Sequence, residues 1–145
     1  MRRQDVTRII LLIAAEAQEF DGLIRRLPRT ARLSWPVEFA RAAEWNGDRW
    51  ILVANGPGPS LAREAVDVAA RGEIPDAIVS TGLCGALDPQ FEIGQIVVAS
   101  EITAGDQKYP SQTPAVSRSY AHALRFTSSS EFSRTALARY FVFSG

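Results

Sequence analysis

The sequence has one cysteine, one histidine and no net charge, and each shortage removes a class of protein. A lone Cys84 cannot build a disulfide framework, which fits a reducing compartment and leaves folding to an apolar core. A lone His122, in a region of weak pattern, lacks the partners a metal site needs, so no metal is expected. The 16 basic residues are matched by 16 acidic ones with no basic stripe, which argues against nucleic acid as a partner. The nearest cluster, Arg25, Arg26, Arg29 and Arg32, follows an apolar segment and reads as a solvated helix end, where cations suit the helix dipole. No stretch reaches the length of a membrane span. Arg2 and Arg3 precede the apolar run 9–15, but Asp5 before it and Glu16 and Glu19 after it favour a buried strand over an export signal. A cytoplasmic protein without a membrane partner is expected.

What is present is an α/β pattern. At 46% hydrophobic the chain suits one domain over residues 1–145. Residues 8–15 form a continuous aliphatic run, as in a central strand covered on both faces. Residues 16–27 read as a helix, with Phe20, Leu23, Ile24 and Leu27 on one face and Pro28 ending it. Strands at 37–45 and 49–54 flank Asn46-Gly47-Asp48, a hairpin signal because Asn and Gly tolerate positive φ. A helix over 61–71 follows, with Ser60 as its expected N-cap. Residues 77–80 are a second buried strand, 81–87 a glycine-bearing loop, 88–89 a turn and 95–99 another strand. The order β-α-β-β-α-β-β is that of an α/β fold. Beyond Thr103 the pattern weakens, leaving 104–145 poorly assigned. Prolines make 109–114 irregular, 131–140 is a short helix after a serine run, and the apolar stub 141–143 ends the chain, which looks unfinished.

Ligands of open α/β sheets bind at the carboxyl ends of strands, which here point to the loops beginning at Ala14, Asn55 and Ser80. The Gly56-Pro57-Gly58 loop precedes a helix, so its backbone donors suit an anion or hydroxyls, yet a purely structural turn fits its spacing equally. It is neither a phosphate loop nor a dinucleotide fingerprint, and no cofactor is expected. In Thr81-Gly82-Leu83-Cys84-Gly85-Ala86 the glycines let backbone approach a flat ligand. Cys84 reads as a small buried thiol, since no base stands near it in the pattern. Glu19 is either a solvated helix carboxylate or, near a strand's carboxyl end, a site carboxylate.

Together these segments resemble the nucleoside phosphorylase superfamily, which includes purine nucleoside and uridine phosphorylases and the methylthioadenosine/S-adenosylhomocysteine nucleosidases. The resemblance runs from Ile9 to Ile102. It is strongest over Pro75-Asp76-Ala77-Ile78-Val79-Ser80-Thr81-Gly82-Leu83-Cys84-Gly85-Ala86-Leu87-Asp88-Pro89, followed by Ile93-Gly94-Gln95-Ile96-Val97-Val98. The Asn55-Gly56-Pro57-Gly58 turn and the opening strand with Ala15 to Glu19 support it.

The resemblance implies a mixed sheet flanked by helices and cleavage of a nucleoside N-glycosidic bond. It gives Glu19 the task of orienting the attacking water. Ala15, Pro57 and Gly58 would line the pocket, and Leu83, Cys84 and Gly85 would contact ribose or base. Family members self-associate, so a homo-oligomer is implied as well. Departures narrow the chemistry. Leu83 stands where nucleosidases have Ser, and the Arg and Ser with which some phosphorylases hold phosphate are absent at Ser80 and Leu83, which favours hydrolysis over phosphorolysis. Gly94-Gln95 replaces Gly-Asp. After Thr103 there is no match to the ribose-binding Met-Glu segment or to the Asp that protonates the purine, and Glu131 is no substitute. The site is therefore expected to be incomplete, in a chain truncated at its C-terminus. Alternatives are a non-catalytic nucleoside-binding or oligomerisation module, a fragment without function of its own, and a phosphorolytic nucleoside phosphorylase.

Overall fold

A computed structural model describes residues 8–85, 89–91, 96–104, 106–110, 121–127 and 137–144. The chain forms two compact units, Met1–Val79 and Ser80–Gly145.

In the first unit, β1 (Ile9–Ala14) runs parallel to β4 (Asp48–Ala54), and β3 (Phe39–Trp45) lies antiparallel on the other side of β4. A two-residue strand β2 (Ala31–Arg32) edges β3, and β5 (Ala77–Gly85) begins beside β1. The β3–β4 turn sits on Asn46 at φ 53° and Gly47 at φ 80°, the pair of positive values a two-residue hairpin needs to match strand twist. Helix α2 (Pro59–Gly72) covers one face, where Leu11, Ile13, Ala40, Ile51 and Val53 meet Ala65 and Ala69. The alternate residues Leu12 and Leu52 are also buried, so β1 and β4 are covered on both faces, which explains their unbroken aliphatic character. Gly72 closes α2 against Trp35, whose Cζ2 would lie 2.6 Å from a Cβ placed there.

The predicted helix over 16–27 divides into a 3-10 turn at Ala17–Phe20 and a single turn α1 (Asp21–Ile24). The Glu19 amide donates back to the Glu16 carbonyl at 3.1 Å, which tightens the first turn, and Gly22 weakens propagation of the second. The N-cap of α2 is Gly58 rather than Ser60, because Pro59 at the first helical position needs no amide partner and has the right φ already. Arg25, Arg26, Arg29 and Arg32 are all exposed.

In the second unit, β5 continues through residues 80–85, so the expected glycine loop at 81–85 is extended strand. Glycine and β-branched Thr81 permit this, since a strand tolerates glycine where backbone must stay accessible. β6 (Ile96–Ala104) is longer than predicted and pairs parallel with β8 (Ala121–Thr127) and β9 (Leu137–Ser144), and antiparallel with β7 (Gln107–Pro110). Tyr109 and Pro110 are thus strand residues, with Pro110 at the end of β7, where a missing donor is tolerated. Residues 111–114 lie outside the described set. His122, in the region of weak pattern, is in β8 opposite Val97. Residues 137–140 of the predicted C-terminal helix belong to β9, because pairing with β6 outweighs weak local helix preference, and 131–136 lie outside the description. Residues 86–88 and 92–95 lie outside it too. Among the described residues no helix is long and apolar enough to cross a membrane.

Candidate functional site

Parallel β1 and β4 deliver their carboxyl ends side by side, with Ala14 opposite Ala54. The two chains leaving them stay joined, for the Gly56 amide donates to the Ala15 carbonyl at 2.8 Å. One rim of the unit therefore carries both the turn with Glu19 and the loop with Pro57 and Gly58. The 3-10 turn packs against the ends of β1 and β4. Phe20, 1% exposed, anchors it by stacking on Phe39 with ring centroids 5.9 Å apart.

Glu19 is half-buried and is held by its own turn. Its Oε1 accepts from the Glu16 amide at 3.0 Å, while the Glu16 carboxylate accepts from the Glu19 amide in a reciprocal cap. The Gln18 side-chain amide donates to Glu16 as well. This cap fixes the carboxylate's direction at the strand end and engages one of its oxygens.

Across the rim, the loop after β4 takes its shape from its glycines. Gly56 has φ 96° and Gly58 φ 100°, both in the region that L-residues avoid. Gly56 also faces Leu61, whose Cδ1 would stand 2.7 Å from a Cβ. Pro57 and Gly58 are exposed, and Ala15 is half-buried. The Gly58 carbonyl accepts from Ala62 at 3.1 Å and opens α2. Beneath the loop is Asn55, a buried polar side chain that the sequence pattern does not single out. Its local signal is an amide directly after the apolar run 50–54.

The structure thus gathers Ala15, Glu19, Pro57 and Gly58 at one end of the first unit. Leu83, Cys84 and Gly85 are the last residues of β5 and belong to the second unit, where Leu83 is 45% exposed. The Cys84 side chain lies outside the description. Among the described residues no group of three His, Cys, Asp or Glu could hold a metal ion.

The groups with displaced ionisation lie at the other end of the same strands. Arg8 clamps Asp48 with bonds of 3.0 and 2.7 Å, and this hydrogen bonding holds the Asp48 carboxyl below its ordinary range and raises the Arg8 guanidinium. Arg49 clamps Glu73 through two bonds of 2.6 Å, lowering Glu73 in the same way and raising Arg49. Both clamps tie β4 to its neighbours, far along the strand from Ala54.

Comparison with known proteins points one way. The model of the phosphorylase superfamily matches residues 8–140. Futalosine hydrolase of Streptomyces coelicolor is 41% identical over 64 residues, a stretch covering 41% of this chain and 27% of the relative. The 5'-methylthioadenosine/S-adenosylhomocysteine nucleosidase of Tolumonas auensis is 32% identical over 69 residues, 48% of this chain and 30% of the relative. Among solved structures, the S-adenosylhomocysteine nucleosidase of Streptococcus pyogenes, in complex with 5-methylthiotubericidin, superposes with a TM-score of 0.62 at 25% identity. That match covers 70% of this chain and 43% of the solved one, so the chain spans less than half of its structural relative. The mixed sheet with flanking helices is the fold of these nucleosidases.

Proposed function

Because the chain belongs to the phosphorylase superfamily, we propose that it cleaves the N-glycosidic bond of a purine nucleoside or thionucleoside by hydrolysis. The bond between C1′ and the base nitrogen breaks with its electron pair going to the base. A water oxygen bonds to C1′, one water proton passes to a carboxylate and from it to solvent, and the leaving purine takes up a proton from solvent. The transition state carries positive charge on the ribose, so a carboxylate near C1′ that orients the water and accepts its proton lowers the barrier. Glu19 takes that role in this reading. Ala15, Pro57 and Gly58 line the pocket on the same rim of the first unit.

The observation that carries the reading is the 2.8 Å bond from Gly56 to Ala15. It joins the two loops that leave parallel strand ends, where α/β sheets bind ligands. Ser80 and Leu83 supply no arginine for a phosphate, which favours water as the nucleophile. A reducing, cytoplasmic setting accompanies the reading, on the strength of a single cysteine.

The test is release of purine base from methylthioadenosine, S-adenosylhomocysteine or futalosine, the compounds in the relatives' names, by wild type and Glu19→Gln. The variant is expected to lose about 10²–10⁴-fold in kcat, the usual contribution of a positioned acid or base. Equal activity in both would remove Glu19 from the mechanism. No release from any of the three by wild type would remove the hydrolytic reading.

One observation favours a second reading, a nucleoside-binding module without turnover: the Glu19 carboxylate already serves as a cap for Glu16. Calorimetry with adenosine separates the two, since this reading requires saturable binding with no base released.

A further inference from the structure

Asn55 is 8% exposed and uses its amide in both senses. Its Oδ1 accepts from the backbone amide of Glu38 at 3.3 Å, ahead of β3. Its Nδ2 donates to the Leu61 carbonyl at 3.4 Å and to Glu64 Oε2 at 3.2 Å, in the first turns of α2. Both amide protons are therefore committed, and the group is placed to hold structure rather than to meet a ligand. The residue beside it, Gly56, makes the bond to Ala15 that closes the rim. We propose that Asn55 is a positioning residue for the nucleoside site, its side chain fastening the Gly56–Gly58 loop to α2 and to the segment before β3 so that Pro57 and Gly58 stay level with Ala15. This rests on the nucleoside-binding reading above.

The physical case is that only a side chain with both donor and acceptor meets these partners. Alanine removes the acceptor of the Glu38 amide and both donors toward α2. Aspartate keeps the acceptor for Glu38, loses the donors, and sets a second carboxylate against Glu64. Glutamine at position 64 reverses that pair, because its amide can donate to a carboxylate placed at position 55. Asn55→Asp combined with Glu64→Gln thus restores one bond with donor and acceptor exchanged. A side chain that served only bulk stability would leave the adenosine affinity of the folded protein unchanged.

The experiment measures hydrogen exchange of the Gly56 amide by NMR, and adenosine affinity by calorimetry, in wild type, Asn55→Asp and the double variant. Asn55→Asp is expected to speed Gly56 exchange by about tenfold or more, the effect of losing one such hydrogen bond. It should weaken adenosine binding in parallel, and the double variant should recover most of both. Should Asn55→Asp fail to fold, Glu64→Ala removes one arm from the exposed side of α2 and must shift Gly56 in the same direction. Unchanged Gly56 exchange, no recovery in the double variant, or a loosened loop with full adenosine affinity would each overturn the proposal. If wild type binds no adenosine while Gly56 follows the Asn55–Glu64 exchange, the functional reading falls and the hold on the loop stands. If adenosine binds and Gly56 ignores Asn55, the reverse holds.

Discussion

At Gly56 two independent constraints meet, a φ of 96° and a Leu61 methyl 2.7 Å from where a Cβ would stand. Gly58, at φ 100°, carries only the first, with open space around its Cβ direction. Alanine at Gly58 is therefore expected to cost about 1 kcal/mol in chemical denaturation, and alanine at Gly56 about 2–3 kcal/mol, since strained backbone and overpacking add. Equal costs would show that Leu61 moves aside freely. The loop was legible in the sequence, because two glycines and two prolines within six residues leave the chain few conformations. The Asn55 clamp was not, because Glu38, Leu61 and Glu64 reach it only after strands and helix have assembled.

Elements were readable where the pattern was long and periodic. Helix α2 shows this: Ala65 and Ala69 face the sheet, while Ala70 faces solvent. Ala65→Leu is expected to destabilise by about 1–3 kcal/mol in thermal or urea unfolding, as overpacking against β1 and β4 does. Ala70→Leu should stay within about 0.5 kcal/mol of wild type. Short elements escaped the same reasoning. The segment after β1 has helical spacing, yet a reciprocal Glu16–Glu19 cap and Gly22 divide it into a 3-10 turn and one helical turn. β9 was only partly legible: Tyr140 to Phe143 favour a strand, but the pairing with β6 that extends it back to Leu137 depends on residues distant in the chain.

On the scale of the first unit, the two arginine–carboxylate clamps are placed away from the candidate site. The Arg8–Asp48 and Arg49–Glu73 pairs sit at the amino ends of β1 and β4 and at the end of α2, whereas Glu19 and the glycine loop sit at the carboxyl ends. Asp48 and Glu73 are both held below the ordinary carboxylate range by their arginines. A lowered folded value means that the stabilisation is present above the unfolded value, about pH 4, and is lost as pH falls through the folded one. Melting temperature is accordingly expected to fall as pH drops from about 5 to about 3, with a shallower fall in Glu73→Gln. Melts in a pH series check this, and added salt should weaken the dependence because the pairs are partly exposed. A Glu73→Gln slope identical to wild type would assign acid sensitivity elsewhere.

Local chemistry along the chain was enough for the α/β class, the buried strand β1, the β3–β4 hairpin, α2 and the family. Aliphatic runs, an Asn-Gly turn, helical spacing and a compact motif from Pro75 to Val98 carry them. Assembly was needed to show that β5 runs on through Gly85, that β6 pairs with β8 and β9, and that Ala15 and Gly56 share a hydrogen bond. Each of these depends on partners distant in the chain, whose pairing no local preference encodes. The division is physical, since turns and periodicities are set by neighbours, whereas the rim of a site is set by whatever the core brings beside it.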